Sequence, residues 1–243
     1  MHSSLRKFSQ IAYSRSKKHV YSSNNRRLFS VNPEEVSKFS ALSSTWWDYK
    51  QNPLIAMNPT RIKRIRQVMN SHFKGNENKS GIIQDESSNQ RNVFDGIRAL
   101  DVGCGGGLLS ESLARVGADV VAIDPSEEIV RVAKDHAAKD FDIAERINFR
   151  GGMSVEKLAS EIKGNKSSNS DLFDIVCVLE VIEHSSDPKS LLSNAASLLK
   201  KPTDDHPGGI LFVSTINKTS KSYAFAILGA EYIARLLPIG THK

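Results

Sequence analysis

The chain has 243 residues, 39% of them hydrophobic and 25% charged, enough for one domain with a sizeable core. It has no run of 18 apolar residues, so nothing in it reads as a membrane-spanning helix. Its two cysteines, Cys104 and Cys177, both fall in apolar strand-like stretches, which reads as reduced core thiols, and no Cys/His spacing typical of a metal site is present.

The net charge is +6, but it is unevenly placed. Residues 1–29 hold Arg6, Lys7, Arg15, Lys17, Lys18, Arg26 and Arg27 and no Asp or Glu; taking those seven from +6 leaves −1 for the remainder. A body without basic excess argues against a nucleic-acid partner. A basic, serine-rich, acid-free leader reads as a mitochondrial transit peptide, and Arg27-Leu28-Phe29-Ser30 resembles a matrix-protease site cut before Ser30. A disordered basic arm for RNA or lipid, or a chloroplast address, are the alternatives. The chain thus divides into 1–29, for targeting, and 30–243, the folded domain.

Residues 34–70 read as a helical lead-in. Pro33 stands near a helix start, Asn52-Pro53 and Asn58-Pro59 mark turns, and Ile62, Ile65, Val68 and Met69 have helical spacing. Residues 74–92 are polar and rich in Asn and Ser, the composition of a flexible insertion. Five strands follow: Ala99–Val102, Asp119–Asp124, Asn148–Arg150, Phe173–Leu179 and Ile210–Ser214. Helices are expected at Leu108–Val116 and Ser190–Leu199, and short surface insertions at 163–170 and 201–209. Strands alternating with helices predict an α/β, Rossmann-like fold with a doubly wound, mainly parallel sheet. Ligands of such a sheet sit at the carboxyl ends of its strands.

The most informative stretch is Leu100-Asp101-Val102-Gly103-Cys104-Gly105-Gly106-Gly107, followed 17 residues after Gly107 by Asp124. The glycines let the backbone turn sharply and approach a ligand between the first strand and the first helix. A carboxylate at the tip of the second strand can accept both hydroxyl protons of a ribose. The unit therefore looks built to hold a nucleoside. A dinucleotide fingerprint runs G-x-G-x-x-G and places a pyrophosphate on the helix N-terminus. Here the spacing is G-x-G-G-G and Asp101 precedes it. That carboxylate would repel a pyrophosphate but suits S-adenosylmethionine, which carries an ammonium and a sulfonium. A glycine turn without a ligand is the plain alternative.

At this point the chain resembles the class I methyltransferases, and more closely the ubiquinone-pathway O-methyltransferases. The resemblance rests on Phe39 through Trp46-Trp47-Asp48, on Met57-Asn58-Pro59-Thr60-Arg61, and on Leu179-Glu180-Val181-Ile182-Glu183-His184. Ser214-Thr215-Ile216-Asn217, Gly229-Ala230-Glu231-Tyr232-Ile233 and Gly240-Thr241-His242 extend it to roughly residues 34–242. It implies that Arg61 meets the methionine carboxylate, Gly103 and Gly105 the methionine and ribose part, Asp124 the ribose hydroxyls and Leu179 the adenosine or methyl region. Asp101 would face the methionine ammonium. The resemblance also implies two further strands after Gly240-Thr241-His242, so the end at Lys243 reads as a truncated or alternatively spliced product.

Glu180, Glu183 and His184 stand at i, i+3 and i+4, and in a helical turn they would share one face. Two carboxylates and an imidazole at a strand tip can hold Mg²⁺, with positions left for a catechol. The resemblance supports that ligand set. A metal-free general base at His184, or a surface cluster capping the next helix, remain alternatives. Trp46 and Trp47 are read either as a cover over the site or as core packing.

The expected activity is O-methylation of a polyprenylated catechol in ubiquinone synthesis, with Glu180 and His184 as catalytic groups. A structural subunit of a biosynthetic complex, or a methyltransferase of another small-molecule pathway, are the alternatives. Residues 222–240 are amphipathic and flanked by basic residues, a composition suited to the headgroup layer. The expected setting is therefore the matrix side of the inner membrane, peripheral to its lipid, with other ubiquinone-biosynthesis proteins as partners. The competing reading of 222–240 is an active-site lid.

Overall fold

The computed structural model describes residues 30–74, 93–164 and 168–215. The leader 1–29, the segment 222–240 and the motifs beyond Thr215 lie outside the described residues, as does all of the 74–92 insertion except Lys74, the last residue of a helix.

In chain order the elements are α1 (Pro33–Ala41), α2 (Leu54–Lys74), β1 (Arg98–Val102), α3 (Leu108–Arg115), β2 (Asp119–Asp124), α4 (Glu127–Ala137) and α5 (Phe141–Ala144). Then come β3 (Ile147–Gly151), α6 (Val155–Gly164), β4 (Ile175–Leu179), α7 (Pro188–Ser197) and β5 (Ile210–Ser214). The five expected strands are present with small shifts at their ends. The fourth starts at Ile175 because Phe173 makes only an isolated bridge to Leu199.

All strands pair in parallel, in the order β3-β2-β1-β4-β5. The sheet is covered on both faces, and the side-chain alternation of β1 and β4 shows how. Ala99, Ile175 and Cys177 join the core built with Ile65 and Met69 of α2, Leu113 of α3 and Val130 of α4. Leu100, Val102, Val176 and Val178 join the opposite core, with Leu158 of α6 and Leu191 and Leu198 around α7. Both cysteines are buried free thiols. The chain reverses its winding between β1 and β4, which opens a crevice above the carboxyl ends of those strands.

Local chemistry sets the helix starts. Asn32 accepts from Glu34 N at 3.0 Å and Pro33 follows it; Ser126 accepts from Ile129 N; Asp187 accepts from Ser190 N ahead of Pro188. The expected turn at Asn52-Pro53 is present, with the Asn52 side chain accepting from Leu54 N. The expected turn at Asn58-Pro59 is not: α2 runs through Pro59. Proline removes one helical donor there. Tertiary contact offsets that loss, because Asn58 is buried and its amide donates to Leu108 O at 2.8 Å and Ser112 Oγ at 2.7 Å.

The 201–209 stretch is on the surface, as expected, yet it is anchored. His206 Nε2 lies 2.7 Å from the buried carboxylate of Asp174, which Lys200 Nζ also meets at 2.8 Å. In the 163–170 stretch, α6 continues to Gly164 and a short turn forms at Asn169–Asp171. At the far edge, β5 is less covered than β4: Val213 is exposed where Val178 is buried.

Candidate active site

A cavity of about 500 Å³ lies over the carboxyl ends of β1, β2 and β4, roofed by α1, the turn after it and the start of α2. Arg61, Asp101, Gly103, Gly105, Asp124, Leu179, Glu180, Glu183 and His184 all line it. The structure therefore brings together every residue singled out for catalysis or binding.

The glycine loop has left-handed backbone at Gly103 (φ +71°), Gly105 (φ +52°) and Gly107 (φ +88°). At Gly103 a Cβ would come within 2.6 Å of Val181 Cγ2, so a side chain there would be both strained and crowded. The Asp124 carboxylate fixes the loop to β2 and α4: it accepts from Gly105 N at 3.0 Å and Ser126 N at 2.8 Å. Asp101 is buried behind the loop and accepts from Ser110 Oγ at 2.6 Å. Burial pushes both carboxyls up to about 6, against the hydrogen bonds that favour their charged forms and, at Asp101, against the Arg61 charge.

Arg61 comes from the second turn of α2. Its Nη2 is buried without a hydrogen-bond partner, and the closest carboxylate oxygen to it, Glu180 Oε1, is 3.5 Å away. A buried guanidinium nitrogen without a partner, in a cavity that also holds the glycine loop, suits the carboxylate of an amino-acid ligand. Asp124 and Asp101 supply the complementary acceptors for hydroxyls and a cation. The donor set thus fits S-adenosylmethionine.

The region after β4 departs from expectation. Glu180, Glu183 and His184 do not share a helical face. Glu180 takes left-handed backbone (φ +58°), the one non-glycine residue to do so among those described, and a 3₁₀ turn begins only at Ile182. The two carboxylates turn to adjacent residues at the end of β5, and the imidazole turns away to α1. Glu180 Oε1 accepts from Ser214 Oγ of β5 at 2.7 Å, and Glu183 Oε2 accepts from Thr215 Oγ1 at 2.9 Å. His184 Nδ1 lies 2.9 Å from Glu35 Oε2 of α1, and the Phe39 ring meets the imidazole edge-on at 4.8 Å. Among the described residues no group of three or more His, Cys, Asp or Glu side chains stands together to hold a metal ion. As arranged, the expected Mg²⁺ ligands do not fit the ion.

Sequence reasoning missed Glu35, which reads as an ordinary acidic residue in the first turn of a helix. It also left the tryptophan pair undivided. Trp47 is structural: its Nε1 donates to Gly106 O at 3.0 Å, and its indole stacks on His136 with centroids 3.4 Å apart and planes 6° apart. His136 Nδ1 in turn meets the buried Glu111 carboxylate at 2.7 Å. Trp46 instead lines the cavity and covers Gly105 and Gly106.

A methyltransferase domain family matches residues 74–240. With a doubly wound sheet, a glycine loop and carboxylates at the tips of β1 and β2, the chain is an S-adenosylmethionine-dependent methyltransferase. Curated relatives narrow the class. The ubiquinone biosynthesis O-methyltransferase of Azorhizobium caulinodans is 41% identical over 215 residues, 88% of this chain and 74% of that protein. That of Caulobacter vibrioides is 41% identical over 217 residues, 88% of this chain and 75% of the relative. That of Xanthomonas euvesicatoria is 42% identical over 210 residues, 86% and 71%. The chain belongs to the family of ubiquinone biosynthesis O-methyltransferases.

Proposed function

We propose that the protein methylates a phenolic oxygen of a polyprenylated catechol intermediate in ubiquinone biosynthesis. The observation that carries this reading is one cavity holding both halves of the chemistry. The cofactor half is the glycine loop, Asp124 and the unpartnered Arg61 Nη2; the proton-accepting half is His184 paired with Glu35. The apolar walls given by Val36, Phe39, Leu42 and Met57 suit a substrate with a hydrocarbon tail.

Bound S-adenosylmethionine supplies an electrophilic methyl group. The chain's part is to orient the two reactants in line and to take the phenol proton. His184 is the base, and the Glu35 carboxylate stabilises the imidazolium formed when it accepts that proton. Arg61 holds the amino-acid carboxylate, and Asp124 takes the ribose hydroxyls through lone pairs not used by Gly105 N and Ser126 N. Glu180 anchors the β4 tip to β5 through Ser214. No step is assigned to Mg²⁺, because the three side chains named for it face different partners.

The proposal extends to setting. The basic composition of 1–29 supports import into the mitochondrial matrix, and the amphipathic composition of 222–240 supports peripheral contact with inner-membrane lipid and with other enzymes of the same route.

The test is direct. The protein is titrated with S-adenosylmethionine by calorimetry, then assayed on a short-prenyl dihydroxybenzoate with product detected by mass spectrometry. A single mass gain of one methyl on the ring oxygen is expected. Cofactor binding with no transfer to any prenylated catechol would overturn the substrate assignment.

A further inference from the structure

Six buried side-chain nitrogen or oxygen atoms among the described residues have no hydrogen-bond partner, and one of them is Trp46 Nε1. The atom is sealed from solvent, yet the residue lines the cavity over the carboxyl ends of β1, β2 and β4. A buried indole N–H without an acceptor costs free energy comparable to a lost hydrogen bond. Buried Trp N–H groups usually have a partner, so one left open beside a ligand cavity points to the ligand. The neighbouring tryptophan shows the contrast: Trp47 Nε1 is already satisfied by Gly106 O.

The placement of the ring narrows what the partner is. The Trp46 indole rests on Gly105 and Gly106, and a Cβ at either glycine would overlap it. The ring therefore forms a wall over the glycine loop, held there by Asn52, whose side-chain amide donates to Trp46 O at 2.8 Å. Arg61 Nη2 is the second unpartnered donor lining the same cavity. Asp101 and Asp124 supply the acceptors. The cavity is also lined by Glu35, Asp101, Asp124, Glu156, Glu180 and Glu183, and Glu180 Oε1 lies 3.5 Å from Arg61 Nη2. Yet neither donor has a hydrogen-bond partner, and an anionic oxygen on the ligand would satisfy both. S-adenosylmethionine has one such group, its amino-acid carboxylate.

We propose that Trp46 is a cofactor-binding residue whose Nε1–H donates to the carboxylate of the bound cofactor, sharing that group with Arg61. The inference rests on the S-adenosylmethionine dependence of the family and assigns a role that the glycine loop and Asp124 do not fill. A hydrogen bond to an ionised acceptor is stronger than one between neutral groups, so its loss is measurable.

The experiment uses Trp46→Phe, which keeps an aromatic wall and removes the N–H. Binding of S-adenosylhomocysteine and of 5′-methylthioadenosine, which lacks the amino-acid part, is measured by calorimetry on wild type and variant. The expected result is a loss of about tenfold in affinity for S-adenosylhomocysteine with no change for 5′-methylthioadenosine. Equal loss for both, or no loss for either, overturns the proposal. Failure of wild type to bind S-adenosylhomocysteine would instead strike at the cofactor assignment itself. Should the variant not fold, the wild-type protein answers the same question. Labelled with ¹⁵N at its two tryptophans, it has two indole N–H signals. Saturation with S-adenosylhomocysteine is expected to move one downfield and protect it from solvent exchange, while 5′-methylthioadenosine does not. An unshifted pair overturns the assignment.

Discussion

His184 of the turn after β4 and Glu35 of the helix that opens the described chain are 149 residues apart in sequence and 2.9 Å apart in space, Nδ1 to Oε2. Burial works to raise the Glu35 carboxyl, but hydrogen bonds to Lys38 and His184 outweigh it and hold Glu35 below the ordinary carboxylate range. Glu35 thus stays charged beside the imidazole across the neutral range. It holds the ring with Nδ1 toward the carboxylate. If His184 is the base, Glu35→Gln lowers turnover by about tenfold and His184→Ala by about a hundredfold, with cofactor affinity nearly unchanged in both. Steady-state rates paired with cofactor titrations check this, and full turnover in His184→Ala would remove the residue from the chemistry.

Asp124 ties the glycine loop together and is the expected ribose acceptor. Replacing it with Ala leaves Gly105 N and Ser126 N without their carboxylate and removes the ribose contact at once. Cofactor affinity is expected to fall by about 1–3 kcal/mol, with Asp124→Asn intermediate because it keeps one acceptor. Calorimetry with S-adenosylhomocysteine measures both. An unchanged dissociation constant in Asp124→Ala would place the ribose elsewhere.

Asp101 and Asp124 titrate at about 6 in the folded protein, while an unfolded aspartate titrates near about 3.9. A raised carboxyl makes the folded state bind more protons, so these two groups add stability to the unliganded protein as pH falls from about 7 toward about 5. Glu35 is shifted the other way, and its contribution is lost only at lower pH, as pH drops through its depressed value. The proposed contacts of Asp101 with the cofactor ammonium and of Asp124 with its ribose use ionised carboxylates, so affinity is expected to fall over the same window in which the empty protein gains stability. Thermal melts and cofactor titrations at matched pH values test the opposed slopes. Parallel slopes would mean that the two carboxyls do not face the cofactor.

The glycine loop admits no side chain. Gly103→Ala places a Cβ against Val181 in left-handed backbone, and an expected loss of about 1–3 kcal/mol in unfolding free energy follows from strain alone. Gly96 is the comparison: it also has positive φ, but nothing lies within 4 Å of the position its Cβ would take, so Gly96→Ala should cost less and leave cofactor binding intact. Urea unfolding of the two variants, read beside their cofactor affinity, separates crowding at the site from backbone strain in general.

The sequence by itself determined the sheet and the loop. The five apolar runs are strands because the sheet is covered on both faces, and the glycine spacing with Asp124 at the next strand tip marks a nucleoside cradle, since both signals are local in the chain. The tertiary structure decided what neighbours in sequence do with their side chains. It parted Glu180, Glu183 and His184, which the i, i+3, i+4 spacing had placed on one face, because Glu180 takes left-handed backbone and no helix forms until Ile182. It carried α2 through Pro59 because Asn58 docks on α3. It also divided the tryptophans, giving Trp47 to Gly106 and His136 and Trp46 to the cavity. Glu180 meets a partner 34 residues away and His184 one 149 residues away, and the arrival of such partners is fixed by packing of whole elements rather than by any pattern a short window of sequence can hold.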